Sequence, residues 1–252
     1  MSRNLKVIGL ALVSVFAMSA MAASSAQAAV KLTASEYPTV VTAQTTKHTA
    51  EEKEPFAHTL TFSGGMQIAC KKTRFVGTLA EASEKVTIIP TYEECSVKIG
   101  SETLLATVTV EDCYDNVHGG TKEAEEDKWE KGEVDLVCPE GKAPVIHVFQ
   151  SEAKHTKNEN LCTFTVSPFV NKQATTFVNT TGAPDDVSIS FTLPNIAVTR
   201  TGSVLCGGAS QTATYTGSST LQGFKDLGKA TPENGTLKEV EEGAQIGLTI
   251  SE

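Results

Sequence analysis

The chain carries no C-x-x-C, no G-x-S-x-G elbow, no H-E-x-x-H, no P-loop, no G-x-G-x-x-G and no EF-hand loop. These absences remove the signatures of zinc ribbons, thioredoxin-type redox centres, α/β-hydrolases, zinc proteases and nucleotide- or calcium-binding loops. Aromatic residues make up 6% of the 252 positions, with a single tryptophan, which leaves little stacking surface for sugars. The histidines, His48, His58, His118, His147 and His155, are scattered, and none stands at zinc-finger spacing from a cysteine pair. After residue 23 there is no long uncharged apolar run, so no integral membrane segment is expected beyond the N-terminus. Positive charge is also scarce. There are 21 Lys and Arg against 30 Asp and Glu, a net −9. That sign repels phosphates, so nucleic acid is not expected as a partner.

The N-terminus holds the one strong targeting signal. Arg3 and Lys6 precede an uncharged apolar stretch from Val7 to Ala23, and Ala26-Gln27-Ala28 supplies small residues for a peptidase. This is the pattern of a secretory signal peptide, with cleavage expected after Ala28. Loss of residues 1–28 removes Arg3 and Lys6, leaving 19 Lys and Arg against 30 Asp and Glu, or −11. An extracellular location follows, secreted or loosely surface-associated.

Six cysteines, Cys70, Cys95, Cys113, Cys138, Cys162 and Cys206, all lie in the expected mature part. An even number in an exported chain reads as disulfides, because that compartment is oxidising. Phase agrees. Ile68 and Cys70 share one face of an extended strand, as do Cys95 and Val97, Leu136 and Cys138, Cys162 and Phe164, and Val204 and Cys206. Cysteines on the apolar phase point into a core. Fifteen pairings are possible. Local closure favours the sequential set Cys70–Cys95, Cys113–Cys138 and Cys162–Cys206. A catalytic thiol needs an exposed electropositive site and a histidine partner, which Lys71 and Lys72 alone do not supply.

Period-2 alternation dominates the rest. In VSISFTL, Val187, Ile189, Phe191 and Leu193 alternate with Ser188, Ser190 and Thr192; Leu104, Ala106, Val108 and Val110 form a second apolar face. Glycine-rich breakers separate such runs, and no long apolar helix is expected after the signal. The fold class is therefore all-β, one or two disulfide-stapled antiparallel β-sandwich domains. The expected layout is a signal peptide at 1–28, an N-terminal segment and loop at 29–56, a first sandwich at 57–140 and a second at 141–252. A charged stretch, TKEAEEDKWEKGEVD (121–135), reads as a solvated excursion with a helical turn at Asp127 and Lys131. Its Trp129 is either a presented partner contact or a ring tucked back onto the sheet. His147, within VIHVF, reads as a sheet residue. Glu111, Asp112 and Asp115 read as turn carboxylates rather than calcium ligands.

Cys70 with FVGT (75–78), IIPTYEEC (88–95), TVTVEDCY (107–114), VDLVCPEGK (134–142), LCTFTV (161–166) and TATYTGSSTLQGF (212–224) form an ordered set. With the signal peptide, that set resembles a group of uncharacterised, exported, cysteine-paired β-proteins of actinobacteria. The charged insert at 121–134 departs from it. The resemblance implies a bacterial exported protein and implies no activity, cofactor or catalytic residue.

The expectation is an exported non-catalytic protein with no cofactor and no metal, acting in surface or matrix interaction or as a structural component. Its partner would be a cell-envelope component or a surface protein. The alternative is a secreted hydrolase of cell-wall or environmental polysaccharide, whose paired carboxylates would come from distant positions. A structural subunit that donates residues 244–251 as a strand is a third reading.

Overall fold

The alternating runs become strands with the expected faces. Val187, Ile189, Phe191 and Leu193 are buried, while Ser190 and Thr192 are exposed. The computed structural model describes residues 30–45, 58–122, 128–157, 159–225 and 243–251. The expected signal peptide and residues 46–57 lie outside the described residues.

The strands are β1 (Lys31–Ala34), β2 (Thr39–Thr45), β3 (His58–Phe62), β4 (Gln67–Leu79), β5 (Lys85–Ile99), β6 (Glu102–Thr109), β7 (Tyr114–His118) and β8 (Thr121–Lys122). They continue as β9 (Lys128–Val137), β10 (Val145–Phe149), β11 (Cys162–Val166), β12 (Phe169–Thr180), β13 (Asp186–Gly202), β14 (Ser210–Lys225), β15 (Gln245–Ile246) and β16 (Leu248–Ser251). A short helix α1 (Glu152–Thr156) and a 3-10 turn (Val204–Cys206) complete the described chain. The fold is thus all-β and antiparallel.

Four strands are unusually long: β4 has 13 residues, β5 15, β13 17 and β14 16. At about 3.3 Å per residue each runs some 40–55 Å. Every one changes neighbours midway. One set of pairings closes a circuit through β3, β4, β5, β6, β10, β11, β13, β14 and back to β3. The other closes through β2, β4, β5, β7, β9, β12, β13, β14 and back to β2. The molecule is therefore two eight-stranded closed β-bodies stacked end to end, sharing four continuous strands. We call the first circuit the tip barrel and the second the base barrel. Eight strands leave an interior just wide enough for side chains. Phe62 meets Phe164 inside the tip barrel at 4.8 Å between centroids, and Phe75 meets Phe191 at 5.9 Å near the junction.

Segment 57–140 and segment 141–252, the two expected domains, each contribute strands to both circuits. The β1–β16 ribbon lies at the far end of the base barrel, where Leu32 bridges to Ser83 and Asn179 exchanges two hydrogen bonds with Ile250. Residues 248–251 are thus already paired within their own chain, which corrects the strand-donation reading.

On one side of the waist the flanking strands stop and restart. The breaks fall at 110–113, 138–144 and 167–168, and together they form a seam. Here β5 and β13 have a neighbour on one side only, because β6 and β7 leave residues 89–94 unpaired and β11 and β12 leave 192–197 unpaired. Pro90 and Pro194 sit in these gaps, where the missing N–H breaks no ladder bond on the open side. A register shift and Asn195 at φ 55° accompany Pro194.

The disulfides are Cys70–Cys95, Cys113–Cys138 and Cys162–Cys206, with no free cysteine. The first joins directly opposed residues of β4 and β5. The second crosses the seam, and the third ties the start of β11 to the 3-10 turn. The shared phase expected for Val204 and Cys206 fails there, since a 3-10 turn has a period near three. Val204 points out and Cys206 in.

The charged stretch 121–135 also differs from expectation. Residues 128–131 are strand, not a helical turn, and Lys131 at φ 58° marks a bulge. The bulge resets the alternation so that Trp129 joins Val134 and Leu136 in the core. Trp129 is 2% exposed, so of its two readings the structure has the ring on the sheet, and the presented contact is corrected.

Candidate functional site

At the waist, the interior of the tip barrel holds a cavity of about 100 Å³. Its walls are mostly apolar, from Val108, Val110, Leu136, Val166, Leu193 and Ile196 among others. A water needs roughly 10–15 Å³ of such space, so several waters or a small organic group fit. Val110 and Phe169, both half-buried, line it where the seam opens.

Four titratable side chains line this space among the described residues: His58, Tyr92, Asp115 and Tyr215. Three are linked. His58 Nδ1 lies 2.6 Å from the Tyr215 hydroxyl, and Nε2 lies 2.9 Å from Ser219 Oγ. Tyr215 and Tyr92 hydroxyls are 3.3 Å apart. His58 opens β3 opposite Gly217 of β14. A Cβ at Gly217 would lie 2.1 Å from His58 Nδ1, so only glycine leaves room for the imidazole. Burial pushes His58 down to about 4, and the ring is neutral at ordinary pH. Burial first, then the nearby Asp115 carboxylate, pushes the Tyr92 phenol well above its usual range. Tyr215 moves the same way. Both tyrosines serve as neutral hydrogen-bond groups.

Asp115 is the fourth. It stands in β7 on the same phase as the buried Val117, so alternation turns it inward. Its carboxyl lies deep in the body yet keeps surface toward the cavity. Among the described residues it has no hydrogen-bond or ion-pair partner. Burial raises it to about 7. No Lys or Arg among the described residues lines the cavity, and of these residues Asp115 is the one that brings charge to it.

The other carboxylates at this strand end go elsewhere. Glu111 and Asp112 lie in a left-handed turn at φ 49° and 65°, and Glu111 is 3.4 Å from Lys142. The three do not converge. No group of three or more His, Cys, Asp or Glu among the described residues is placed to hold a metal ion. His147 is hydrogen-bonded to Thr163 across the β10–β11 pair at 3.1 Å.

A second feature stands at the far end of the tip barrel. Val204 and Leu205 are 80% and 66% exposed. Their turn is held firmly. Cys206 is cross-linked to Cys162, and the Leu205 N–H donates to Ser203 Oγ at 3.3 Å. Arg200 Nη1 donates to the Gly202 and Ser203 carbonyls at 2.6 and 2.7 Å. Gln211 Nε2 donates to the Cys206 carbonyl at 3.3 Å.

Sequence reading found the six cysteines but none of His58, Tyr92, Tyr215 or the inward turn of Asp115. The prolines in IIPTY and TLPN, each within a strand-like run, were the available signal of a break in pairing. No described helix is long and apolar enough to cross a membrane, a statement that leaves β-barrels aside. Comparison with known proteins finds no matching family model, no matching curated protein and no matching solved structure.

Proposed function

We propose that this chain is an exported, non-catalytic interaction protein that presents a fixed apolar tip to a component of the cell envelope, a surface protein included. The observation that carries this reading is the Val204–Leu205 pair. Two adjacent large apolar side chains held outward cost solubility, and a turn pinned by a disulfide and an arginine fork does not let them fold away. Three disulfides fit an oxidising exterior compartment. A polysaccharide hydrolase needs two facing carboxylates, and Asp115 is the one carboxylate lining the cavity among the described residues.

The test is retention of the oxidised protein on purified cell envelope beside the double variant Val204→Ser, Leu205→Ser. Retention should fall at least tenfold in the variant. It should persist in about 0.5 M salt, because apolar contact is not screened as charge is. Equal retention of both proteins would remove the tip from the account.

A further inference from the structure

The geometry points to a small-molecule site at the waist: the cavity binds a primary alkylamine, free or as the end of a larger apolar molecule. Its ammonium would sit on Asp115, and its alkyl body between Val108, Leu193, Ile196 and Tyr215.

Three observations converge on this chemistry. The first is the size and lining of the space. An engineered apolar cavity of roughly 150 Å³ takes benzene. The waist cavity, at about 100 Å³, suits an alkyl body of about four carbons by the same scale. The second is the unmet carboxyl. A buried acid without a partner is costly, and an apolar side chain of like volume would restore that stability. Such a group in a cavity marks a candidate binding site. The third is the sign of the field. Among the described residues lining the space, no cation balances Asp115, and His58 is neutral there. A ligand cation supplies the missing charge. Tyr92 and Tyr215 also line the space, and aromatic rings are compatible with a cation. A ligand carboxylate would meet only repulsion once Asp115 is ionised.

Binding and ionisation are linked. The amine pairs with the ionised acid, so it competes with the proton on Asp115. With that group at about 7, affinity should fall about tenfold between pH 8 and pH 6. The other titratable groups lining the cavity among the described residues are Tyr92, Tyr215 and His58, and none of these changes charge in that window.

The experiment is titration of the oxidised protein with n-butylamine, n-butanol and butyrate. Binding is followed by methyl NMR of Val108, Leu136, Val166, Leu193 and Ile196. The amine should bind at least tenfold more tightly than the alcohol at pH 8, with butyrate weakest. Shifts should concentrate on these wall methyls. In Asp115→Asn, which keeps the shape, amine and alcohol should bind alike. Equal binding of amine and alcohol to the unmodified protein would overturn the proposal. So would an amine preference that survives Asp115→Asn, or shifts confined to methyls away from the cavity. Should Asp115→Asn fail to fold, the pH 8 to pH 6 comparison on the unmodified protein decides alone, and unchanged amine affinity overturns the site.

Discussion

Asp115 and His58 carry opposite linkages, and the pair makes a prediction that neither makes singly. Asp115 holds its proton up to about pH 7 in the folded chain, against 3.8 as the ordinary value. Its contribution is therefore full at low pH and is lost as pH rises from about 4 through 7. His58 binds its proton near 4 when folded and near 6.5 otherwise. Its contribution is full above about 6.5 and is lost as pH falls through 4. Across pH 4–6.5 the two slopes oppose each other. Asp115→Asn should unmask the histidine, so that stability falls more steeply with acid than in the parent. His58→Gln should unmask the aspartate, with stability falling as pH rises toward 7. Denaturant titrations at pH 4.5, 5.5, 6.5 and 7.5 would check both signs. Each slope spans a few kcal/mol. Gly217→Ala belongs to the same cluster. A methyl 2.1 Å from the imidazole forces His58 to move and should cost about 1–3 kcal/mol by overpacking. Little of this was legible in the sequence. A histidine and a glycine 159 positions apart become neighbours only through β3–β14 pairing, and nothing local announces that.

Strands were more legible than their partners. Alternation gave β13 its inward face correctly, because the period of two survives without knowledge of the neighbour. It leaves Trp129 open between a presented contact and a ring on the sheet, because charged neighbours hide the strand and the bulge at Lys131 shifts its phase. Local closure alone selects the sequential disulfides, and it succeeds where Cys70–Cys95 joins adjacent strands of one hairpin. Each bridge acts on a different element. Replacing Cys70 and Cys95 together by alanine should lower stability by about 3.5 kcal/mol in the chain-entropy account of a 25-residue loop. For Cys162 and Cys206, 44 apart, the same account gives about 4 kcal/mol. That second variant should also free the Val204–Leu205 turn. Envelope retention should then fall at temperatures where circular dichroism still reports the native sheet. Retention that tracks the sheet signal alone would separate the tip's rigidity from its binding.

At the scale of the molecule, the sequence suggested two bodies and missed how they are joined. Alternation and turn residues define strands, but they do not say that one strand serves two barrels. The only hints were its length and the internal prolines. Sharing β4, β5, β13 and β14 should make unfolding a single cooperative event. Emission from Trp129, which sits in the base barrel, and far-ultraviolet dichroism, which senses both barrels, should give superimposable curves in urea. Segments 57–140 and 141–252 made separately should each lack a cooperative transition, since each leaves both circuits open.

The shared strands also bear on how anything reaches the waist. Hinge opening would shear hydrogen bonds along all four at once, so the two halves do not part like jaws around a guest. Entry is left to transient side-chain motion at the seam, beside Val110 and Phe169, under the strap formed by Cys113 and Cys138. Exchange of a small guest should therefore be slow for its size, and severing that one strap should hasten release far more than it weakens affinity.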